Sequence, residues 1–282
     1  MFRFLRKETR VKKILLIVIP LIFIVSVFFL LLKMNGRNMP QQMAGGAGGS
    51  VSSLVAQAKE FEAQGKLLEA KSAYAKLTEE FSSSRDMFSW QKKLEELNIK
   101  LLFSPTLIPE RTATYEIKPG DALIKIAKEF KTTTELIMRS NNLTSDKIIP
   151  GKKLKVWTVP FTIFVDKSQN ILLLKTEDEI IKSYVVSTGL NNSTPVGTFK
   201  IINKLPNPTW FKAGAVVAPG SPENVLGTRW LGFNMAGYGI HGTVEPEKLG
   251  QQVTQGCVRM LNADVEELYA IVPVDTEVTI VD

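Results

Sequence analysis

The apolar positions of the chain change their period several times, and the first pattern is an unbroken apolar run. Residues 14–32 read ILLIVIPLIFIVSVFFLLL and carry no charge. A helix of this length spans about 28 Å at about 1.5 Å per residue, close to the ~30 Å hydrocarbon core of a bilayer. The pattern therefore predicts a transmembrane helix.

Basic residues beside this apolar run predict its orientation. Six Lys or Arg precede it and two follow it closely, which predicts a cytoplasmic N-terminus for a single-pass membrane protein. Lys33-Met34-Asn35 follows in place of a small-residue cleavage site, so we expect an uncleaved anchor and not a secretory signal. Residues 1–13 then form a cytoplasmic basic tail, and the chain beyond residue 33 lies on the outer side.

The formal net charge of +7 is confined to the N-terminal segment. Residues 1–37 hold eight Lys or Arg against one acidic residue, Glu8, and residues 38–282 balance to zero. No basic face remains to attract phosphate, so we expect no nucleic-acid partner.

A flexible and then a helical segment follow the predicted anchor. Residues 33–50 are rich in glycine and predict a linker. Residues 51–103 place small and apolar residues three and four apart, with Gly65 at a turn between two helices. Their spacing resembles a tetratricopeptide unit, carried by Ala58, Phe61, Gly65, Ala70, Tyr74 and Phe81. One such unit cannot bury its own face, so we interpret the segment as a spacer, with a protein-docking surface at residues 51–100 as the alternative.

Residues 112–157 predict a small strand–helix–helix–strand (βααβ) domain after a proline-containing linker. Tyr115 and Ile117 alternate into a Pro-Gly turn, and Asp121 is placed to cap the first helix. Thr132 or Thr133 starts the second helix, and Pro150-Gly151 turns into the last strand. The first helix has a single apolar face formed by Leu123, Ile126, Ala127 and Phe130.

This segment resembles the LysM module over its full length. The Y-x-I-x-x-G-D start, the S-N-N-L centre and the I-x-P-G-x-x-L-x-V end all have counterparts here. The resemblance implies binding of N-acetylglucosamine-containing glycans such as peptidoglycan or chitin, with Gly120, Asp121 and Pro150 as candidate glycan contacts. Ala122 stands where the family commonly has Thr or Ser. A domain that only spaces its neighbours is the alternative.

From residue 158 the pattern is typical of a mainly β domain. Runs of β-branched and aromatic residues alternate with Asn, Gly and Pro, and they read FTIFVD, ILLLKT, IIKSYVVSTG, GTFKIINK and TEVTIVD. One helix is predicted after Asn262, which is placed to cap it, with Asp264 in its first turn and Pro273 at its end.

His241 and Cys257 are the only histidine and the only cysteine of the chain. They stand in I-H-G-T and T-Q-G-C-V-R-M, both glycine-containing stretches. A neighbouring imidazole is the usual device that produces a reactive thiolate near neutral pH. The alternatives are a small buried thiol and a hydrogen-bonded structural histidine. With no further Cys or His a zinc site is excluded, and we expect neither a metal nor a cofactor.

Three separated motifs in residues 158–282 resemble the YkuD-type L,D-transpeptidase catalytic domain. They are V-S-T-G-L-N-N-S-T-P-V-G-T-F-K-I, I-H-G-T and G-C-V-R-M. The resemblance implies Cys257 as nucleophile and His241 as general base and acid. Gln255 stands where the family usually has a second histidine, and a glutamine cannot titrate.

Further site residues follow from the chemistry of acyl transfer. We expect the Gly242 carbonyl to orient the imidazole and the backbone N–H groups of Gln255, Gly256 and Cys257 to form an oxyanion hole. Arg259 is a candidate for a substrate carboxylate, with an ion pair as the alternative. Tyr238, Thr243 and Trp210 are further candidates for the substrate cleft, whereas Met235 and Met260 are assigned to packing.

The sequence as a whole predicts a multidomain cell-wall enzyme. Its parts are an N-terminal transmembrane helix, a tetratricopeptide-like helical spacer, a βααβ LysM domain and a mainly β L,D-transpeptidase domain. The resemblance implies 3→3 cross-linking of peptidoglycan stem peptides through a thioacyl-enzyme, with release of D-alanine. A carboxypeptidase that uses water as acceptor and a non-catalytic wall-binding protein are the alternatives. The expected partners are stem peptides, glycan strands and the membrane.

Overall fold

The computed structural model describes residues 48–177, 179–212 and 214–282. The predicted basic tail, the predicted anchor and residues 33–47 of the predicted linker lie outside these ranges. Within the described ranges, every helix is too short or too polar to cross a bilayer.

Within the described residues, three helices precede the first strand. They are α1 (Gly48–Ala63), α2 (Leu67–Glu80) and α3 (Met87–Leu102). Gly65 has a φ of +70° in the turn between α1 and α2, as the sequence predicts. Helix α1 begins inside the predicted linker, at Gly48. The helices bury a common core of Ala58, Ala70, Ala73, Tyr74, Leu77, Trp90 and Leu97.

Helix α3 packs against an edge strand of the C-terminal domain, β5 (Glu179–Val185). The Asn98 Nδ2 atom donates to the carbonyl oxygens of Ile181 at 3.1 Å and Ile180 at 3.4 Å. Leu101 and Leu102 of α3 belong to the main apolar core. Helix α3 thus finds its apolar partner within the same chain, and the role of residues 51–103 as a spacer stays a prediction.

Residues 112–157 form the predicted βααβ domain. Its elements are β1 (Thr112–Glu116), α4 (Leu123–Glu129), α5 (Thr134–Ser140) and β2 (Lys153–Trp157), with β1 and β2 antiparallel. Thr133 is the N-cap of α5 and accepts the Leu136 N–H at 2.9 Å.

The predicted cap at Asp121 is wrong. Ala122 holds the N-cap position of α4 and makes no side-chain cap bond. The Asp121 carboxylate instead closes the turn after β1, since Oδ2 accepts the Lys118 N–H at 2.7 Å and the Tyr115 hydroxyl at 2.8 Å.

The βααβ domain is docked on both of its neighbours. Lys155 is buried, and its Nζ donates to the carbonyl oxygens of Leu101 at 2.6 Å and Ser104 at 2.8 Å. Burial lowers the pKa of Lys155 to about 8. The Thr133 hydroxyl also donates to the carbonyl oxygen of Ala270 in the C-terminal domain. Residues 50–282 thus form one compact unit.

The C-terminal domain is built on an eight-stranded sheet in the order β13-β11-β10-β7-β14-β3-β4-β5. The β11–β13 and β3–β14 pairs are parallel and the others antiparallel. The remaining bounds are β3 (Phe161–Asp166), β4 (Ile171–Thr176), β7 (Gly197–Pro206), β10 (Arg229–Phe233), β11 (Gly239–His241), β13 (Val258–Arg259) and β14 (Glu277–Val281).

Helix α6 (Asn262–Ile271) contacts this sheet through buried Val265, Leu268 and Ile271. The C-terminal domain also contains two small sheets of two strands each. Strand β6 (Thr188–Gly189) pairs with β12 (Gln252–Thr254), and β8 (Trp210–Lys212) pairs with β9 (Ala215–Val217). The apolar runs that predict strands in the sequence coincide with β3, β4, β5, β7 and β14, whereas the short strands between residues 210 and 259 were not predicted.

Candidate active site

The predicted base lies on β11, and the predicted nucleophile lies directly before the neighbouring strand, β13. His241 on β11 pairs with Arg259 on β13, and Ile240 pairs with Val258. Cys257 directly precedes β13, and the Gly239 N–H of β11 donates to its sulfur, so the thiol lies beside the strand that carries His241.

The His241 imidazole is buried and fixed in one orientation. Its Nδ1 lies 2.7 Å from the carbonyl oxygen of Gly242, the contact that the sequence predicts. With the Nδ1–H donating there, Nε2 is the nitrogen that can accept a proton. Burial lowers the pKa of His241 to about 4, with a smaller contribution from the Arg259 charge. The ring is therefore neutral near pH 7.

The Cys257 thiol is half-buried and its sulfur has two backbone neighbours. Sγ donates to the carbonyl oxygen of Gly237 at 3.4 Å, and the Gly239 N–H donates to the sulfur. Burial raises the pKa of the thiol, whereas the Gly239 N–H and the Arg259 charge oppose that rise. The resting pair is thus a neutral thiol and a neutral imidazole, and the same two groups stabilise the thiolate once it forms.

The loop before the nucleophile has a conformation that only glycine adopts readily. Gly256 has a φ of +130°, and a Cβ there would lie 2.6 Å from Cε1 of Tyr238. The Thr254 hydroxyl holds this loop, since it donates to the Cys257 carbonyl oxygen at 2.7 Å and accepts the Gly256 N–H at 3.2 Å. The Gly256 N–H is therefore already engaged, in contrast to its predicted place in the oxyanion hole.

Arg259 is buried beside the pair and is held by a carboxylate. Its Nη1 lies 3.0 Å from Oε2 of Glu245, and its side chain is only 9% exposed. The Nε atom is buried and lacks a hydrogen-bond partner within the described part of the chain. The ion pair, one of the two alternatives for Arg259, is present, and contact with a substrate carboxylate stays a prediction.

Thr243 is a structural residue and does not line the cleft as predicted. It is buried, and its hydroxyl accepts the Glu245 N–H at 2.9 Å. Asn262 clamps its backbone, with Oδ1 accepting the Thr243 N–H at 3.0 Å and Nδ2 donating to the Thr243 carbonyl oxygen at 2.8 Å. These contacts fix the strand end that carries His241.

The predicted cap at Asn262 is therefore wrong. Leu261 holds the N-cap position of α6 without a side-chain bond, and Asn262 is the first helical residue. Its amide is directed to the His241 loop, where Oδ1 also accepts the Thr228 N–H at 3.2 Å. A Cβ on Gly242 would lie 2.1 Å from this Oδ1, so the glycine after His241 makes room for the clamp.

Trp230 is a site residue that the sequence reasoning missed. It pairs with His241 across β10 and β11, and the two rings stack with centroids 6.0 Å apart and planes at 21°. The only signal in the sequence is the alternation of R-W-L-G-F, which does not reveal the partner strand.

The remaining candidate residues are Tyr238, Trp210, Met260 and Met235. Tyr238 contacts Gly256 beside the nucleophile, and Trp210 lies on β8. Met260 is fully buried as predicted, but Met235 is 39% exposed, so its assignment to packing is wrong.

The candidate glycan contacts lie on two neighbouring turns of the βααβ domain. Gly120 and Pro150 are exposed, and Asp121 is half-buried. The Gly151 N–H donates to the Ile117 carbonyl oxygen at 2.8 Å, which holds the two turns side by side.

Comparison with known proteins agrees with this organisation. The family model of the L,D-transpeptidase catalytic domain matches residues 160–280, and that of the LysM domain matches residues 115–157. The putative L,D-transpeptidase YkuD of Bacillus licheniformis is 35% identical over 174 residues, which cover 59% of this chain and 97% of that protein. The putative L,D-transpeptidase YkuD of Bacillus subtilis (strain 168) is 34% identical over 174 residues, which cover 59% of this chain and 98% of that protein.

A third relative matches a much shorter stretch of the chain. The N-acetylmuramoyl-L-alanine amidase sle1 of Staphylococcus epidermidis is 54% identical over 46 residues, which cover 16% of this chain and 14% of that protein. The extent of the two longer matches decides the assignment: this chain belongs to the YkuD family of L,D-transpeptidases and carries a LysM domain.

Proposed function

We propose that this protein is a peptidoglycan L,D-transpeptidase that forms 3→3 cross-links through a thioacyl intermediate on Cys257. One observation carries the proposal. The pairing of β11 with β13 brings the Cys257 thiol beside the strand that carries His241, while the Gly242 carbonyl oxygen holds Nδ1 and leaves Nε2 free to act as base.

The acylation step starts from a neutral pair. Nε2 of His241 takes the thiol proton, and the sulfur attacks the carbonyl carbon that follows the third residue of a donor stem peptide. The bond to the nitrogen of the terminal D-alanine then breaks, and that nitrogen takes the proton from the imidazolium. The Gly239 N–H and the Arg259 charge favour the thiolate during the attack.

The transfer step reverses these proton movements. An amine of a second stem peptide attacks the thioester and gives its proton to Nε2. The thiolate leaves as the amide bond forms, and the imidazolium returns the proton to the sulfur. Water in place of the amine would give a carboxypeptidase reaction at the same site.

Two backbone donors are proposed for the oxyanion. The N–H groups of Gln255 and Cys257 fill this role, since the Gly256 N–H already binds the Thr254 hydroxyl. A donor of this kind contributes roughly 3–4 kcal/mol to transition-state stabilisation. Gln255 cannot titrate, so His241 is the only imidazole available as base.

The other regions restrict the reaction to the wall. We propose that the LysM domain binds glycan strands through the turns at Gly120 and Pro150. Residues 14–32 are proposed to anchor the chain in the membrane, with the N-terminus cytoplasmic and residues 48–282 on the outer side. Both attachments raise the effective concentration of the site near stem peptides.

Intact-protein mass spectrometry with a carbapenem tests the thioacyl step, because the resemblance to the family implies covalent adducts with such drugs. Wild type should gain the mass of one drug molecule, and Cys257→Ala should gain none. Equal labelling of both proteins would disprove the role of Cys257.

Digestion of walls from cells that express each protein tests the product. Fragments joined 3→3 should appear only with the wild type. Shortened stems without 3→3 dimers would identify a carboxypeptidase, and walls unchanged by wild type would identify a non-catalytic binder.

A further inference from the structure

We propose that Trp230 is a positioning residue of this site: its indole holds the plane of the His241 imidazole so that Nε2 faces Cys257. This inference rests on the proposed function, because it assigns Nε2 the task of receiving the thiol proton. It assigns Trp230 no contact with the reacting atoms.

The imidazole needs a second restraint beyond its hydrogen bond. The contact from Nδ1 to the Gly242 carbonyl oxygen selects one tautomer only while the ring keeps its orientation, and one hydrogen bond does not by itself stop the ring from turning away from it. The indole stacks on the ring at 6.0 Å and 21°, within the range of favourable offset stacks. Together the two contacts define both the plane of the ring and the direction of Nε2.

The indole itself is held by built-in features of the sheet. Its Nε1 donates to Oδ1 of Asn203 on β7 at 3.0 Å. A Cβ on Gly232 would lie 2.7 Å from Trp230 Nε1, and one on Gly239 would lie 2.9 Å from its Cζ2. Both distances are shorter than carbon contacts in folded proteins, so the indole fits against the sheet only because these two positions have no Cβ.

A role in core packing does not account for this arrangement. The next residue, Leu231, points to the other face and is fully buried in the main core. Trp230 is only half-buried, and the Asn203 amide that holds it is exposed. The indole therefore lies on the face of the sheet that carries the His241 side chain, outside the core.

The stack also suits the charge that His241 carries during the reaction. An aromatic face attracts a cation within about 6 Å, so the indole favours the transient imidazolium. The charged group that acts on His241 from β13 is Arg259, which is paired with Glu245. Trp230 opposes the effect of this neighbouring positive charge.

NMR of the full-length protein with ¹⁵N-labelled histidine tests the positioning directly, because His241 is the only histidine. Wild type should give one imidazole spin system with the proton on Nδ1. In Trp230→Leu we expect a shifted resonance, from loss of the ring current of the indole, and averaged ¹⁵N shifts that indicate both tautomers. Trp230→Phe should restore a single tautomer, since it keeps a stacking ring.

The rate of carbapenem acylation provides the second readout. A misplaced base typically lowers the rate by up to about 100-fold, so we expect a loss of about 10- to 100-fold in Trp230→Leu and a smaller loss in Trp230→Phe. Ile202→Ala is the control, because it removes an exposed apolar side chain of β7 outside this contact. It should match wild type in both readouts.

The outcomes separate this inference from the proposed function. A Trp230→Leu protein with a single Nδ1–H tautomer and a wild-type acylation rate would overturn the inference. A wild-type protein that is never acylated would overturn the proposed function, while mixed tautomers in Trp230→Leu would still support the positioning of the ring. Thermal unfolding of each variant verifies that it is folded.

Discussion

The two ends of the eight-stranded sheet are stabilised in different ways. At one end β3, β4 and β5 have six or seven residues each, pair over most of their length and bury apolar side chains in the main core, and α3 packs against β5. At the other end β11 and β13 have three and two residues. Side chains of Asn262 and Thr254 hold the backbone there, through bonds to Thr243, Thr228, Gly256 and Cys257.

Because of this difference, we expect the residues that mainly stabilise the fold and the residues that support the reaction to lie at opposite ends of the sheet. The free energy gained from apolar burial depends on the area buried, so it changes little when side chains shift slightly. A hydrogen bond, in contrast, weakens steeply when its distance or angle changes. The short-stranded end needs an open face for substrate, so it cannot be covered as the other end is. We expect substitutions at the α3 end to change stability alone and those at the His241 end to change the reaction as well.

The largest effect is expected for His241→Gln. Glutamine can still donate to the Gly242 carbonyl oxygen but cannot take the thiol proton, so the rate of carbapenem acylation should fall by about 1000-fold. Mass spectrometry over time measures this rate. A fall of less than tenfold would show that the base is another group or water.

The pH dependence of stability isolates the buried imidazole. The pKa of His241 is about 4 in the folded protein, against about 6.5 in the unfolded chain. Between these values the unfolded state binds the proton and the folded state does not, so the free energy of unfolding falls as the pH is lowered from 6.5 to 4. At about 1.4 kcal/mol per pKa unit the loss is about 3 kcal/mol.

Denaturant unfolding of wild type and His241→Gln at several pH values measures this loss. The carboxylates titrate in both proteins, so the difference between the two curves reports His241 alone. A difference that stays constant from pH 7 to pH 4 would contradict the lowered pKa.

Asn262→Ala probes the polar contacts of the His241 end. The Thr243 and Thr228 N–H groups lose their acceptor and the Thr243 carbonyl oxygen loses its donor. Unsatisfied groups of this kind cost about 1–3 kcal/mol each when they remain buried, and we expect a total loss of about 2 kcal/mol after water enters. Acylation by the remaining folded protein should slow by about tenfold, because Thr243 fixes the strand end that carries His241.

Unfolding and acylation of this variant are measured under the same conditions. Loss of stability with an unchanged rate would show that the clamp does not position His241.

The sequence predicted the long strands and the chemistry better than the contacts between regions. The apolar runs in β3, β4 and β14 are long enough to show the hydrophobic pattern of a β-strand in the sequence. His241 and Cys257 are recognisable because each is the only residue of its type in the chain. Strands of two or three residues, such as β13, are too short to show a hydrophobic pattern that would predict them. Asn262 has the position and type of a helix cap, but its amide bonds backbone groups nineteen and thirty-four residues away.

The surface that covers the helical segment could not be predicted from the sequence for a related physical reason. A single helical repeat does leave an apolar face unburied, as the sequence reasoning held. Which surface covers that face depends on long-range packing, and here it is the edge strand β5. The role of Trp230 was missed in the same way, since it depends on which strand lies beside β10.

The smallest effect is expected at the α3 end, for Asn98→Ala. This change removes the donor to the Ile180 and Ile181 carbonyl oxygens, but it also removes the buried Asn98 Oδ1 atom, which lacks a hydrogen-bond partner within the described residues and so offsets part of the loss. We expect a loss of about 1 kcal/mol in the free energy of unfolding and an unchanged rate of acylation per folded molecule. Asn262→Ala is the matched comparison, because both variants remove a carboxamide that bonds backbone groups. If Asn98→Ala slowed acylation as much as Asn262→Ala does, the two ends would be coupled, and the separation of stability from function along this sheet would be wrong.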